Sequence, residues 1–122
     1  MFYCLVVGSR GITDYSMICR ELDRLLAPYA PNICIVSGGA RGVDSLAEKY
    51  AHERNYETRI FPAKWDVYGK SAGYRRNEEM HRFLSQKEKR LIVAFWDGAS
   101  KGTAHNFTLA PRYNNPIITI QP

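Results

Sequence analysis

A chain of 122 residues, 45% of them apolar, can bury one core and form one domain over residues 1–122. A net charge of +5 favours anionic partners: nucleotides, nucleic acid or phosphorylated metabolites. No stretch approaches a membrane span and no leader-like segment opens the chain. The three cysteines, Cys4, Cys19 and Cys34, lie apart in apolar runs, so neither a disulfide frame nor a metal site is expected and the expected location is the cytoplasm.

Phe2 to Val7 is an apolar, β-rich run ending in Gly8-Ser9-Arg10-Gly11, so a buried strand gives way to a loop. The guanidinium of Arg10 either forks onto a phosphate or carboxylate or is an ordinary loop arginine. Asp14 is placed to cap a first helix whose inner face is Met17, Ile18, Leu22, Leu25 and Leu26, closed by Pro28 and Pro31. Ile33 to Val36 is the second strand. It leads into Ser37-Gly38-Gly39-Ala40-Arg41-Gly42-Val43-Asp44. Val43, Leu46, Ala47, Tyr50 and Ala51 then follow helical spacing, which predicts a helix over about Arg41 to Arg54.

That strand-to-helix junction is chemically special. The first N–H groups of a helix lack partners, the dipole adds positive charge, and glycines let a phosphate approach the backbone. The stretch is either a phosphate or nucleotide cradle or a glycine-rich turn without a ligand. It has neither the Gly-Lys-Ser/Thr of a P-loop nor the dinucleotide G-x-G-x-x-G. Asp44, in the first helical turn, either caps the turn or touches the ligand.

Thr58 to Phe61 predicts a third strand, stopped by Pro62, and Ala63 to Gly73 a loop. In that loop Trp65 and Tyr68 either stack on a base or plug the edge of the core. Tyr74 to Ser85 predicts a helix with Tyr74, Met80, Phe83 and Leu84 as apolar positions. Arg75, Arg76 and Asn77 would then lie in its first turn, where cations oppose the dipole and a bound anion would account for them. Lys87 to Arg90 reads as a solvated turn. Arg90 to Phe95 is a nearly all-apolar fourth strand, followed by Trp96-Asp97-Gly98-Ala99-Ser100-Lys101-Gly102-Thr103-Ala104-His105. A helix over Lys101 to Ala110 is expected to stop at Pro111, and Ile117 to Ile120 is the fifth strand.

Strands alternating with helices imply an α/β fold, a parallel sheet with helices on both faces. Ligands in such sheets bind beyond the carboxyl ends of the strands, where the unusual residues of this chain gather.

On Gly8-Ser9-Arg10, Ser37 to Asp44, Ala72-Gly73 with Arg76-Asn77, and Asp97-Gly98 through Gly102-Thr103-Ala104-His105, the chain resembles the SLOG superfamily. That superfamily includes the Smf/DprA DNA-processing proteins and the LOG phosphoribohydrolases, and the resemblance is to its small stand-alone YspA-like branch. It implies a Rossmann-like three-layer fold, a five-stranded sheet in the order 3-2-1-4-5, and a nucleotide or nucleotide-derived ligand. It also implies a homodimer and, for a sensor role, an effector protein as partner.

LOG enzymes cleave the N-glycosidic bond of a nucleoside monophosphate with an arginine and a glutamate. Arg76 falls on the arginine. His105 stands on or next to the glutamate position, and no acid follows Asp97. A neutral imidazole stabilises an oxocarbenium-like centre poorly, which leaves Asp44 or Asp97 as the available carboxylate.

The first reading is therefore a nucleotide-binding or nucleotide-sensing module. Gly8, Ser9, Ser37, Gly38, Gly39, Ala40, Arg41, Gly42, Gly102 and Thr103 supply its cradles. Arg10 and Arg76 are the counter-charges, Asp44 and Asn77 are further contacts, and Trp65 or Tyr68 covers the base. The alternatives are a LOG-like hydrolase using Arg76, Asp44 and His105, and single-stranded nucleic-acid binding. No cofactor and no membrane is called for.

Overall fold

Burial on both faces defines the central strands. Every residue of β2 (Ile33–Ser37) is buried, as are Cys4 to Val7 of β1 (Phe2–Gly8) and Ile92 to Phe95 of β4 (Arg90–Phe95). Strands of that kind sit between two layers of helix. The computed structural model describes Met1–Pro122 and has that arrangement. β3 (Glu57–Ile60) and β5 (Ile117–Ile120) complete a sheet in the order β3-β2-β1-β4-β5, with every pairing parallel. This is the expected Rossmann-like order. The chain builds outward from β1 to β3, then crosses back to start β4 on the other side of β1. The switch point lies between β1 and β4, whose ends pair as Gly8 with Phe95.

The pleat divides β1 between two cores. Cys4 and Val6 face α1 (Tyr15–Leu26) and α2 (Val43–Glu53), packing with Ile18, Leu22, Ala47 and Tyr50. Leu5 and Val7 face the opposite layer and pack with Met80, Leu84 and Ala110. That layer is α4 (Ala72–Ser85) and α5 (Lys101–Arg112). Asp14 caps α1 as expected, its carboxylate accepting the Met17 N–H at 3.1 Å.

The segment after β3 departs from expectation. Residues 63–73 are not an open loop. Trp65–Tyr68 forms a short helix, α3, followed by a 3₁₀ turn over Gly69–Ser71. The turn leads directly into α4, which therefore starts at Ala72, before the expected Tyr74. Arg76 and Asn77 thus fall in the second turn, where the dipole argument for a bound anion no longer applies. Pro111 does not stop α5, which runs to Arg112. A proline in the last turn forfeits one hydrogen bond without cutting the helix in two. Arg90 is no solvated turn residue either. Its guanidinium donates to Asn115 Oδ1 at 2.8 Å, to the Lys87 carbonyl at 2.7 Å and to the Asn114 carbonyl at 2.8 Å, clamping the start of β4.

Candidate functional site

At the switch point the carboxyl ends of β1 and β4 and the helices that follow enclose a cleft of about 490 Å³. That volume is within the range of small-molecule sites. Of the residues expected at a site, Gly8, Ser9, Arg10, Ala40, Asp44, Trp65, Arg76, Asn77, Gly102 and Thr103 line it. Ser37, Gly38, Gly39, Arg41, Gly42 and His105 are not in the lining.

Two glycines permit the close approaches that shape this end of the sheet. A Cβ on Gly8 would stand 2.5 Å from Val43 Cγ2 and 2.7 Å from the Phe95 carbonyl. Gly42 has φ +76°, and its Cβ would stand 2.6 Å from the Arg10 backbone. The tail of β1 thus runs tight against the start of α2. Ser9, also buried, ties that tail to β4: its N–H donates to the Phe95 carbonyl at 3.0 Å and its Oγ accepts the Asp97 N–H at 3.2 Å.

The Ser37 to Asp44 turn satisfies much of its own backbone. The Gly39 N–H donates to Ser37 Oγ at 3.2 Å, and the Ala40 N–H to Asp44 Oδ2 at 3.1 Å. Ser37 Oγ in turn donates to Glu48 at 2.7 Å. Asp44 therefore caps the turn while also lining the cleft, so its capping and cleft-facing roles coexist.

Beside it stands Arg76. Its Nε donates to Asn77 Oδ1 at 3.0 Å and its Nη1 to the Gly38 carbonyl, which fixes the guanidinium plane. Burial dominates the electrostatics of the pair. It pushes the Asp44 carboxyl up, opposed by the Ala40 N–H, Arg76 and Arg10. It pushes the Arg76 guanidinium down, opposed by Asp44 and reinforced by Arg10. Arg10, Lys70 and Arg76 face Asp44 and Asp97 in the lining, three cations against two carboxylates, so the cleft carries an excess of positive charge.

The opposite wall is the start of α5. Ser100 caps it, its Oγ accepting the Thr103 N–H. Asp97 accepts the N–H groups of Ala99 at 2.8 Å and Ser100 at 2.9 Å, which hold its carboxyl below the usual range. A Cβ on Gly102 would meet nothing within 4 Å, so this helix start is sterically open. Asn77 reaches across from α4, donating to the Gly102 carbonyl at 3.3 Å.

Trp65 is 51% exposed and neither Trp65 nor Tyr68 is buried, so neither plugs the core. Trp65 lines the cleft, and Tyr68 does not. His105 packs edge-on against Tyr74, centroids 4.7 Å apart, with Nδ1 3.3 Å from Asn77 Nδ2. Partial burial lowers its pKa, opposed by Glu78 and reinforced by Arg112.

The lining also holds residues the sequence reading did not single out as ligand contacts: Lys70, Tyr74, Met80, Ser100 and Asn106. Asn106 follows Gly102 at helical spacing, the one available signal that it shares that face. It belongs to a buried network. His81, fully buried, shares a hydrogen bond with Asn106 Oδ1 through Nε2 at 2.9 Å, and its Nδ1 stands 3.3 Å from Asn115 Nδ2. With the Asn115 amide as donor, only neutral His81 satisfies both partners.

Burial accordingly pushes the His81 pKa below its ordinary 6.5, opposed by the Asn106 bond and reinforced by His105. A depressed folded-state pKa means that unfolded chains take up the proton first. Stability is full above about 6.5 and declines as pH falls from there toward the folded-state value. His105 acts in the same direction. Thermal melts should therefore shift downward on moving from pH 7 into this window, and His81→Gln should flatten that dependence.

No group of three or more His, Cys, Asp or Glu side chains is placed to hold a metal ion, and no helix is long and apolar enough to cross a membrane. Comparison with known proteins agrees with the fold. Gene 61 protein of Mycobacterium phage D29 is 33% identical over 123 residues, covering 93% of this chain and 92% of that protein. Among solved structures, DNA processing protein A (DprA) from Streptococcus pneumoniae superposes with a TM-score of 0.66 at 16% identity, covering 98% of this chain. The chain spans about half, 50%, of that protein's length. A predicted tRNA methyltransferase subunit from Methanocaldococcus jannaschii gives a TM-score of 0.49 at 16% identity, covering 97% of this chain and 68% of that one. The model of the YspA, cpYpsA-related SLOG family matches residues 4–68, which carry most of β1 through α3 and the cleft lining from Val7 to Trp65. The chain belongs to that family.

Proposed function

We propose that the cleft binds a nucleotide or nucleotide-derived ligand through its phosphate. The observation that carries this reading is the convergence of Arg10, Lys70 and Arg76 on one cleft with the open start of α5. A phosphate at the start of α5 would take the helix dipole and the N–H groups of Lys101 and Gly102, the Thr103 N–H being held by Ser100 Oγ. The free edge of the Arg76 guanidinium would fork onto its oxygens. Because Gly39 and Ala40 spend their N–H groups inside their own turn, α5 is a better seat than the glycine stretch before α2. Trp65, half exposed on the cleft lining, would cover the base.

Trp65→Ala tests the last point. The side chain is half exposed, so the variant should fold. Base–aromatic stacking contributes about 1–3 kcal/mol, so affinity should fall roughly fivefold to a hundredfold. Titration with nucleoside monophosphates, followed by tryptophan emission in wild type and by calorimetry in both proteins, reads the effect. Unchanged affinity would remove Trp65 from the site.

A second reading, hydrolysis of the N-glycosidic bond, rests on Asp44, whose carboxyl lines the cleft beside Arg76. Binding without turnover is the reading we favour. His105, at the place where LOG-like chemistry needs a carboxylate, lies outside the cleft lining and bonds to Asn77. Chromatography of wild type incubated with nucleoside monophosphates should show no free base. Stoichiometric base release, lost in Asp44→Asn, would establish the hydrolytic reading instead.

A further inference from the structure

A second concavity of about 360 Å³ adjoins the cleft, and Arg76 lines both. Its other cations are Lys64, Arg75 and Arg82. Its carboxylates are Glu78 and Glu79. Glu78 accepts the Tyr113 hydroxyl at 2.9 Å and makes only a long ion pair with Arg82 at 3.9 Å, so four cations face two carboxylates in this concavity. The four-residue helix α3 overlooks both concavities. Trp65 lines the cleft and Tyr68, three residues on, lines the groove, with the Arg75 guanidinium 4.4 Å from the Tyr68 ring centre. Residues at that spacing share one helix face. Each concavity therefore has one exposed aromatic and its own set of cations, the pattern of surfaces that stack bases and track a phosphate backbone. A second copy of this chain would bring the same basic surface against itself, and an acidic peptide would leave the aromatic rings without stacking partners.

Resting on the reading of the cleft as a nucleotide site, we propose that cleft and groove form one track for a phosphodiester-linked ligand of two or more nucleotides. The first nucleotide sits in the cleft under Trp65. The linking phosphate passes Arg76, and the second nucleotide lies in the groove against Tyr68, its far phosphate near Arg75 and Arg82. A free dinucleotide and a segment of a single strand present the same chemistry here.

Calorimetry at two salt concentrations tests the track with three probes: deoxynucleoside 5′-monophosphates, the matching 5′-phosphorylated dinucleotides, and a single strand of about ten nucleotides. Dinucleotides should bind about tenfold or more tightly than monophosphates, with a steeper loss in salt. Arg82→Ala and Arg75→Ala, both exposed and checked for folding by thermal melts, should each remove most of that gain and leave monophosphate affinity unchanged. Binding of the strand at dinucleotide strength would identify a nucleic-acid segment as the source, and its exclusion a free dinucleotide, both within the proposal. Equal affinity for monophosphates and dinucleotides overturns the track and leaves the cleft reading standing. So does a gain that survives both substitutions. Dinucleotide binding with the expected Arg82 dependence but no monophosphate binding supports the track and overturns the mononucleotide reading. Binding of polyglutamate in place of all nucleotide probes overturns both.

Discussion

Arg76→Ala should weaken nucleotide binding roughly tenfold to a hundredfold, the equivalent of about 1.5–3 kcal/mol for a charge-assisted hydrogen bond. The structure gives this residue two tasks, so the variant should also melt earlier. Its Nη1 satisfies the Gly38 carbonyl and its charge opposes the burial penalty on Asp44. With the guanidinium gone, the Asp44 carboxyl is pushed further up. Arg76→Lys should restore part of the stability, because an ammonium still neutralises Asp44. It should restore little of the affinity, because a point charge cannot hold Gly38 and Asn77 while forking onto a phosphate. Calorimetry and thermal melts on the two variants separate these roles. Wild-type affinity in a folded Arg76→Ala protein would remove Arg76 from the binding site.

The largest loss of stability is expected from Gly42→Ala. The added Cβ would stand 2.6 Å from the Cα and carbonyl oxygen of Arg10, backbone atoms that cannot swing aside, at a φ of +76°. Overpacking costs about 1–3 kcal/mol, and the positive φ with ψ of −128°, a region essentially confined to glycine, roughly 1–3 kcal/mol more. Together these are a large share of the about 5–15 kcal/mol that holds a domain of this size. Because the strain falls on the loop carrying Arg10, whatever folds should also bind poorly. Gly11→Ala is the matched control, since its Cβ would meet nothing within 4 Å. Urea denaturation of the pair should show a large drop in midpoint for Gly42→Ala and almost none for Gly11→Ala. Equal midpoints would mean that β1 and α2 are not packed as described.

The contrast between those glycines shows what was legible in the sequence. Alternating apolar runs and helical spacings determine layers and strand direction, so the parallel sheet could be read directly. The Asp14 cap could be read too, because capping is a local interaction. The Ser37 to Asp44 stretch was legible as a special turn, but not as one that consumes its own N–H groups. That depends on where the Ser37 and Asp44 side chains point once β2 and α2 are packed. Arg76 was identified for a reason that did not hold. It lies in the second turn of α4, and the compensation for its charge comes from Gly38 and Asp44, residues more than thirty positions earlier in the chain. Lys70 was missed for a related reason. α3 and the 3₁₀ turn after it have no strong periodicity, and they fold where they do because β3 and α4 fix their ends.

The most direct test of the proposed site compares nucleosides with their 5′-phosphates by calorimetric titration of the wild-type protein. Recognition through phosphate by Arg10, Arg76 and the start of α5 requires saturable binding of the phosphates and at least about tenfold weaker binding of the nucleosides. The same preference should vanish in Gly102→Val, whose Cβ would meet nothing within 4 Å at the open helix start. Equal binding of nucleoside and nucleotide, or no binding of either, would contradict the phosphate site.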